Sequence, residues 1–143
     1  MWKVASMCCL MLDTNILLDA LLSGRPGTDV AREVINRCNG NGEYGMACAL
    51  SLKDVYYVAS KVHGEPWARQ AVQKLMGLVV VAPVDAEVLD EASRSNEPDF
   101  EDGIVRACAE LNDADFIITR DKAAFLKSKL RAVSAAEYLD IVK

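Results

Sequence analysis

The stretch that decides the fold is residues 4–15, which read VASMCCLMLDTN. An almost uninterrupted apolar run extends from Val4 to Leu12, and such a run is typical of a strand buried on both faces of a sheet. The run stops at Asp13, which is followed by the polar pair Thr14 and Asn15. The first predicted element is therefore a buried strand with an acidic side chain directly at its carboxyl end.

The rest of the chain alternates between helix and strand patterns. Residues 16–22 are read as a short helix or turn, Gly77 as the end of a helix, and residues 122–126 as another short helix. Alternating helices and buried strands predict an α/β fold with a parallel sheet of about five strands between helical layers, a three-layer α/β/α sandwich. A chain of 143 residues is one domain's worth, 1–143. The further strands are predicted at residues 44–50, 78–82, 116–118 and 130–133.

Composition restricts the class of protein. Hydrophobic residues make up 52% and charged residues 26%, as in a globular domain. The five cysteines form no C-x-x-C pair, so we expect reduced core thiols and a cytoplasmic protein. His63 is the only histidine, which argues against a zinc site. No apolar run is long enough to cross a bilayer, and no membrane partner is expected.

The net charge of −5 argues against a general nucleic-acid binder, whose surface is normally basic. The charge is segregated, however. Acidic residues dominate residues 85–102, and basic residues dominate residues 120–131. Two bound divalent cations would reduce the net charge to about −1 and remove much of the objection to an anionic substrate.

Acidic side chains follow several of the predicted strands. Because parallel strands end at one edge of the sheet, these carboxylates are expected to converge there. A set of hard oxygen ligands favours Mg²⁺ or Mn²⁺, and such ions can activate water for hydrolysis of a phosphodiester. The candidate acids are Asp13, Asp54, Asp99, Asp102 and Asp121.

A second interpretation stays open for the same acids. Aspartate is a favourable helix N-cap, and Ser51 with Asp54 matches a capping box. Each acid would then close its own helix without meeting the others. Four cations near the acids are candidate phosphate contacts: Arg120, Lys122, Lys53 and Arg106.

Three stretches resemble the motifs of PIN domains. LDTNILLD at residues 12–19 is similar to the opening signature of the family, and DFEDG at residues 99–103 to its second acidic motif. ADFIITRD at residues 114–121, with Phe125 soon after, is similar to the third. The three occur in the family's order and together span most of the chain.

The resemblance implies roles for particular residues. Asp13, Asp102 and Asp121 take the metal-binding positions, and Asp99 an auxiliary one. Asp54 stands where the family usually has glutamate, completing a catalytic set of Asp13, Asp54, Asp102 and Asp121. Asn15 and Thr119 take supporting polar positions.

The resemblance also implies an activity and partners. It implies Mg²⁺- or Mn²⁺-dependent cleavage of RNA, and it indicates the toxin half of a VapC-type pair that binds a small antitoxin protein. A homodimer is expected, with residues 16–22 or the helix carrying Tyr56 and Tyr57 as its interface.

Two other functions are compatible with parts of the sequence. A PIN-like binding module with weak catalysis, acting through RNA or protein contacts, would account for Asp54 in place of glutamate and for the acidic charge. A receiver-type domain that accepts a phosphoryl group on an aspartate fits less well, since Thr119-Arg120-Asp121 occupies the place of the lysine that it requires.

Overall fold

The computed structural model describes residues 7–40, 42–95 and 99–143. Strands and helices alternate along these residues, as predicted. Their bounds are β1 Cys8–Leu12, α1 Thr14–Leu21, α2 Thr28–Arg37, β2 Glu43–Cys48, α3 Ala49–His63, α4 Glu65–Leu78, β3 Val80–Ala82, α5 Ala86–Ser93, α6 Phe100–Leu111, β4 Phe116–Ile118, a 3₁₀ turn Lys122–Phe125, β5 Arg131–Val133 and α7 Ala135–Ile141.

The five strands form one parallel sheet in the order β3-β2-β1-β4-β5. The first strand of the chain is therefore the central one, with β2 on one side and β4 on the other. This position explains its apolar sequence, because a central strand of a parallel sheet is covered on both faces. The predicted parallel sheet of about five strands is confirmed.

The two faces of β1 belong to two separate apolar cores. Leu10 and Leu12 pack in one core with residues of α1, α2 and α7, whereas Cys9 and Met11 pack in the other with residues of α5 and α6. Alternate residues of a strand point to opposite faces, so a strand that is apolar throughout requires helices on both sides. The result is the predicted three-layer α/β/α sandwich.

Two predicted boundaries are wrong. Strand β2 ends at Cys48, and Ala49 and Leu50 already belong to α3, because a short apolar run does not by itself distinguish a strand from a first helical turn. Helix α4 continues through Gly77 to Leu78. Gly77 lacks the positive φ that a glycine at a helix end usually has, so it is an ordinary helical residue and does not end the helix. A Cβ at this position would meet no other atom within 4 Å.

Residues 16–22 were one of two predicted dimer interfaces, and this prediction is wrong because the segment is not exposed. Ile16, Leu17, Leu18 and Leu22 are buried, since this apolar segment faces the core. Tyr57 on α3 is exposed. In the first predicted strand, residues 4–6 lie outside the described residues, and β1 begins at Cys8.

The cysteines are reduced thiols outside any disulfide, and Cys9, Cys38, Cys48 and Cys108 are buried, as predicted for core thiols. Among the described residues, no helix combines the length and the apolar character needed to cross a membrane.

Candidate metal centre

Asp13 lies at the carboxyl end of the central strand and is the N-cap of α1. Its Oδ1 accepts a hydrogen bond of 2.9 Å from the backbone N–H of Thr14, and its Oδ2 accepts one of 2.8 Å from the hydroxyl of Thr119. Its own backbone N–H donates to the carbonyl of Ile118 at 3.0 Å. Both carboxylate oxygens are therefore held in position before any ligand binds.

Thr119 connects two of the candidate acids. It is fully buried at the end of β4, and its Oγ1 also accepts a hydrogen bond of 3.0 Å from the backbone N–H of Asp121. One hydroxyl thus orients Asp13 with its proton and positions the backbone of Asp121 with its lone pair. The supporting role predicted for Thr119 has this geometric basis.

Helix α6 contributes two more acids through its first turn. Asp99 is the N-cap, and its Oδ1 accepts a hydrogen bond of 2.8 Å from the backbone N–H of Glu101. Asp102 lies one turn into the same helix and is partly buried. Asp99 is thus a helix cap and also a member of the acidic cluster, so the two interpretations of the sequence are compatible.

Helix α3 brings Asp54 to the same edge. The capping box suggested by Ser51 and Asp54 does not form, because α3 begins at Ala49 and Ser51 is already inside the helix. The hydroxyl of Ser51 instead accepts a hydrogen bond of 2.8 Å from the hydroxyl of Thr14, which joins α3 to α1 beside Asp13.

These acids surround one pocket of about 360 Å³. It contains all five acids that the sequence singled out, together with Asn15 and Lys53. Three further polar residues, Thr14, Ser51 and Glu101, were not predicted as site residues. Thr14 and Glu101 directly adjoin predicted acids in sequence and Ser51 lies one helical turn before Asp54, which was the available signal. The full lining is Asp13, Thr14, Asn15, Cys48, Leu50, Ser51, Lys53, Asp54, Asp99, Glu101, Asp102, Ile104, Val105 and Asp121.

The carboxylates are close enough to raise one another's pKa. The pKa of Asp102 is raised to about 6, chiefly by burial and in smaller part by the charges of Asp99, Asp13 and Asp121. Burial also raises the pKa of Asp13, although the hydrogen bonds from Thr119 and Thr14 oppose it, while Asp121 and Asp99 add to the increase. A cation in the pocket would relieve this repulsion.

The chemistry of the lining fits a hard divalent cation, because carboxylate, amide and hydroxyl oxygens predominate. Within the described residues, however, no three acidic, histidine or cysteine side chains are already arranged to hold an ion. The carboxylates would therefore need to turn inward or to reach the ion through water.

The four candidate cations are placed differently from one another. Lys53 lines the pocket, with its Nζ 3.6 Å from Oδ1 of Asp54. Arg120, Lys122 and Arg106 do not line it. Their charged groups lie near other acids, Arg120 by Asp19 at 3.2 Å, Lys122 by Glu137 at 2.9 Å and Arg106 by Glu110 at 3.9 Å.

The partner of Arg120 was not predicted from the sequence. Asp19 on α1 is 1% exposed, and its Oδ1 accepts from Nε of Arg25 at 2.7 Å and from Nη1 of Arg120 at 3.2 Å. An acid within the apolar run of residues 16–22 was the available signal, since a buried carboxylate requires partners. This ion cluster links α1 to the segment that carries Asp121.

The family model of the PIN domain matches residues 9–123, which is most of the chain. The chain belongs to the PIN-domain family. No sequence among the curated proteins is significantly similar to it. The matched range contains all five candidate acids of the pocket.

Solved structures share the fold at low sequence identity. The Mycobacterium tuberculosis toxin VapC20, described as cleaving the sarcin–ricin loop, has a TM-score of 0.65 at 16% identity, covering 80% of this chain and 92% of its own. The DNA-bound VapBC of Salmonella typhimurium has a TM-score of 0.68 at 15% identity, covering 90% and 99%. A toxin–antitoxin complex from Klebsiella pneumoniae has a TM-score of 0.67 at 21% identity, covering 88% and 97%.

Proposed function

We propose that this PIN-domain protein is a Mg²⁺- or Mn²⁺-dependent endoribonuclease that hydrolyses RNA phosphodiester bonds at the acidic pocket. The observation that carries the proposal is the convergence of acids from separate parts of the chain. Asp13 follows β1, Asp54 lies on α3, Asp99 and Asp102 lie on α6, and Asp121 follows β4. Separate helix caps alone would not require these side chains to surround one cavity.

Each residue has a defined task in this proposal. Asp13, Asp102 and Asp121 would hold the cation, with Asp99 and Asp54 at its margin. When bound, the cation supplies activation of water and stabilisation of the leaving oxygen. Thr119 and the backbone N–H of Thr14 hold the carboxylate of Asp13 in one orientation, so that the side chain loses less conformational freedom when the ion binds.

Lys53 is the candidate for contact with the RNA backbone. It is the one of the four predicted cations that lines the pocket, and its side chain is 74% exposed. A lysine acts on phosphate as a point charge, so it can attract the backbone without selecting a base sequence.

We propose further that the protein is the toxin of a toxin–antitoxin pair and that it forms a homodimer. Two of the similar structures are toxin–antitoxin assemblies, from Salmonella typhimurium and Klebsiella pneumoniae, and this likeness supports a small antitoxin partner. Expression of the active protein alone should then stop cell growth, and expression of the D13N variant should not.

The central experiment incubates purified protein and RNA with Mn²⁺, and compares wild type with Asp13→Asn and Asp102→Asn. Both variants should lose cleavage by at least about a hundredfold, the scale at which loss of a catalytic group acts. Asp85→Asn is the matched control, because Asp85 caps α5 outside the pocket and asparagine caps equally well. Cleavage that persists in both pocket variants would refute the proposal.

A binding module with weak catalysis is the second candidate. It is favoured by Asp54 in place of the family's usual glutamate, and by the lack of three prearranged ligands among the described residues. Calorimetric titration separates the two functions. Heat of binding with millimolar Mn²⁺ supports the nuclease, and a silent titration supports the binding module.

A further inference from the structure

A pair of thiols, one of which lines the acidic pocket, has no role in the proposed function. Cys48 is the last residue of β2 and the N-cap of α3, and Cys108 lies on α6. Their Sγ atoms are 3.7 Å apart, although the residues are 60 positions apart in sequence. Cys48, although only 1% exposed, lines the pocket, whereas Cys108 is 0% exposed and does not line it.

We propose that Cys48 and Cys108 are a site of thiol oxidation, at which a hydroperoxide that enters the acidic pocket converts the two thiols to a reversible disulfide. The contact distance supports this assignment. A disulfide requires the sulfurs to approach to about 2.05 Å, which is a movement of less than about 2 Å from the observed contact.

The surroundings of Cys48 favour it as the thiol that reacts first. The hydrogen bond from Cys108 lowers the pKa of Cys48 despite its burial, and the backbone N–H groups of Leu50 and Ser51 at the start of α3 lower it further. The thiolate is the reactive form, and helix N-termini stabilise it. The pKa of Cys108 is raised instead, by the hydrogen bond that it donates to Cys48, by burial and by the charge of the Cys48 thiolate.

The reaction balances with the hydroperoxide as sole oxidant. The Cys48 thiolate attacks one peroxide oxygen, the O–O bond breaks, and Cys48 becomes a sulfenic acid. When hydrogen peroxide is the oxidant, the departing hydroxide takes up the proton that Cys48 released on forming the thiolate, and one water results. The sulfur of Cys108 then attacks the sulfur of Cys48, the S–O bond breaks, and the departing hydroxide takes the proton of Cys108 to form a second water. Two thiols are oxidised, and one peroxide is reduced.

The disulfide would connect two elements that carry candidate ligands. Cys48 precedes the helix that bears Asp54, and Cys108 lies on the helix that bears Asp102. Drawing these elements together changes the spacing of the acids, so we infer that oxidation weakens Mn²⁺ binding by about tenfold or more, the scale at which misplaced supporting groups act. This coupling rests on the proposed function, whereas the disulfide itself does not.

The first experiment treats the purified, reduced full chain with hydrogen peroxide, removes the oxidant, alkylates the free thiols and maps the peptides by mass spectrometry. We expect a Cys48–Cys108 disulfide, with Cys8, Cys9 and Cys38 alkylated, and full recovery of the thiols with dithiothreitol. Five alkylated cysteines, or a disulfide that joins other pairs, would overturn the proposal.

The variants test the order of the steps. Cys108→Ser should stop the reaction at the sulfenic acid, which dimedone traps on Cys48, because serine keeps a hydrogen-bond donor beside the Cys48 sulfur but cannot form the disulfide. Cys108→Ala, which removes that donor, should give slower labelling of Cys48. Cys48→Ala should leave Cys108 unlabelled. Dimedone on Cys108, or none on Cys48 in a folded Cys108 variant, contradicts the assignment. Cys38→Ala is the matched control, since it removes a buried thiol away from the pocket and should leave the disulfide unaffected.

Calorimetry with Mn²⁺ then compares the reduced and oxidised chains. Weaker binding after oxidation supports the coupling, and equal affinity overturns it. If even the reduced chain binds no Mn²⁺, the proposed nuclease fails while the mapped disulfide remains, so the two failures are distinguishable.

Discussion

The hydroxyl of Thr119 donates a hydrogen bond of 2.8 Å to Oδ2 of Asp13, although the two residues are 106 positions apart in sequence. The bond crosses from the end of β4 to the end of β1, and the same oxygen of Thr119 accepts the backbone N–H of Asp121. A fully buried side chain therefore couples the orientation of one candidate ligand to the position of another.

Thr119→Val tests whether this coupling serves the pocket. The substitution keeps the shape of the side chain but removes the hydroxyl, so the carboxylate of Asp13 is held only by the backbone N–H of Thr14. We expect the affinity for Mn²⁺, measured by calorimetry, to fall by about tenfold. We also expect the free energy of unfolding to fall by about 1 kcal/mol.

Thr28→Val is the matched control for Thr119→Val. The hydroxyl of Thr28 donates to the carbonyl of Leu22 at 3.1 Å in a buried site away from the acids. Thr28→Val should reduce the free energy of unfolding by a similar amount and leave Mn²⁺ affinity unchanged. Equal effects of both variants on metal binding would mean that Thr119 acts on stability alone.

Because the pKa of Asp102 is raised, the acidic cluster should lower the free energy of unfolding of the metal-free protein, by an amount that depends on pH. The pKa is about 6 in the folded state, above its ordinary value of 3.8. The folded state therefore binds the proton more tightly, and it loses stability as the pH rises through about 6. Asp102→Asn should be more stable than wild type near pH 8 in EDTA, by no more than roughly 1 kcal/mol because solvent screens a partly exposed group.

The advantage of Asp102→Asn should shrink as the pH falls from about 6 to about 4, where the wild-type carboxyl becomes neutral. Urea denaturation at several pH values measures this difference. Added Mg²⁺ should stabilise wild type more than the variant. A difference that is constant across the pH range would contradict the raised pKa of Asp102 on which the prediction rests.

Gly27→Ala should destabilise the fold through Asp19. A Cβ at Gly27 would lie 2.5 Å from Oδ2 of Asp19, which is buried between Arg25 and Arg120. The carboxylate would have to leave its partners, so we expect a loss of about 2 kcal/mol or more in urea denaturation.

Gly77→Ala is the control for that substitution. A Cβ at Gly77 meets nothing within 4 Å, and the residue is helical, so alanine should stabilise the protein by about 0.5 kcal/mol or more. If Gly27→Ala is as harmless as Gly77→Ala, Asp19 is not held as closely as the structure indicates.

Lys53→Met tests the assignment of the phosphate contact. Removing an exposed charge at the pocket should raise the KM for RNA about fivefold, corresponding to roughly 1 kcal/mol, with little change in kcat. RNA affinity should also depend less steeply on salt: the slope of the logarithm of the binding constant against the logarithm of the salt concentration should decrease in magnitude by about 1. Lys122→Met is the control, because Lys122 is paired with Glu137 outside the pocket. The opposite ranking of the two variants would reject Lys53 as the contact.

Much of the site was predictable because its acids follow strands. Asp13 comes directly after an apolar run, and Asp121 comes three residues after the apolar run that ends at Ile118. Any parallel sheet brings the carboxyl ends of its strands to one edge. The ends of β2 and α4 were less predictable. Ala49 and Leu50 are apolar and would fit a strand or a helix. A glycine typically ends a helix where the backbone needs a positive φ, and Gly77 does not have one.

The sequence by itself determined the layers of this protein, because a strand that is apolar at every position must be covered on both faces, as β1 is. It also determined that acids stand at the strand ends. Only the tertiary structure decided which side chains meet: Thr119 with Asp13, Asp19 with Arg120, and Cys48 with Cys108. These pairs depend on the order of the strands, with β4 and β2 on either side of β1, and strand order follows from the packing of the whole chain and not from any local pattern.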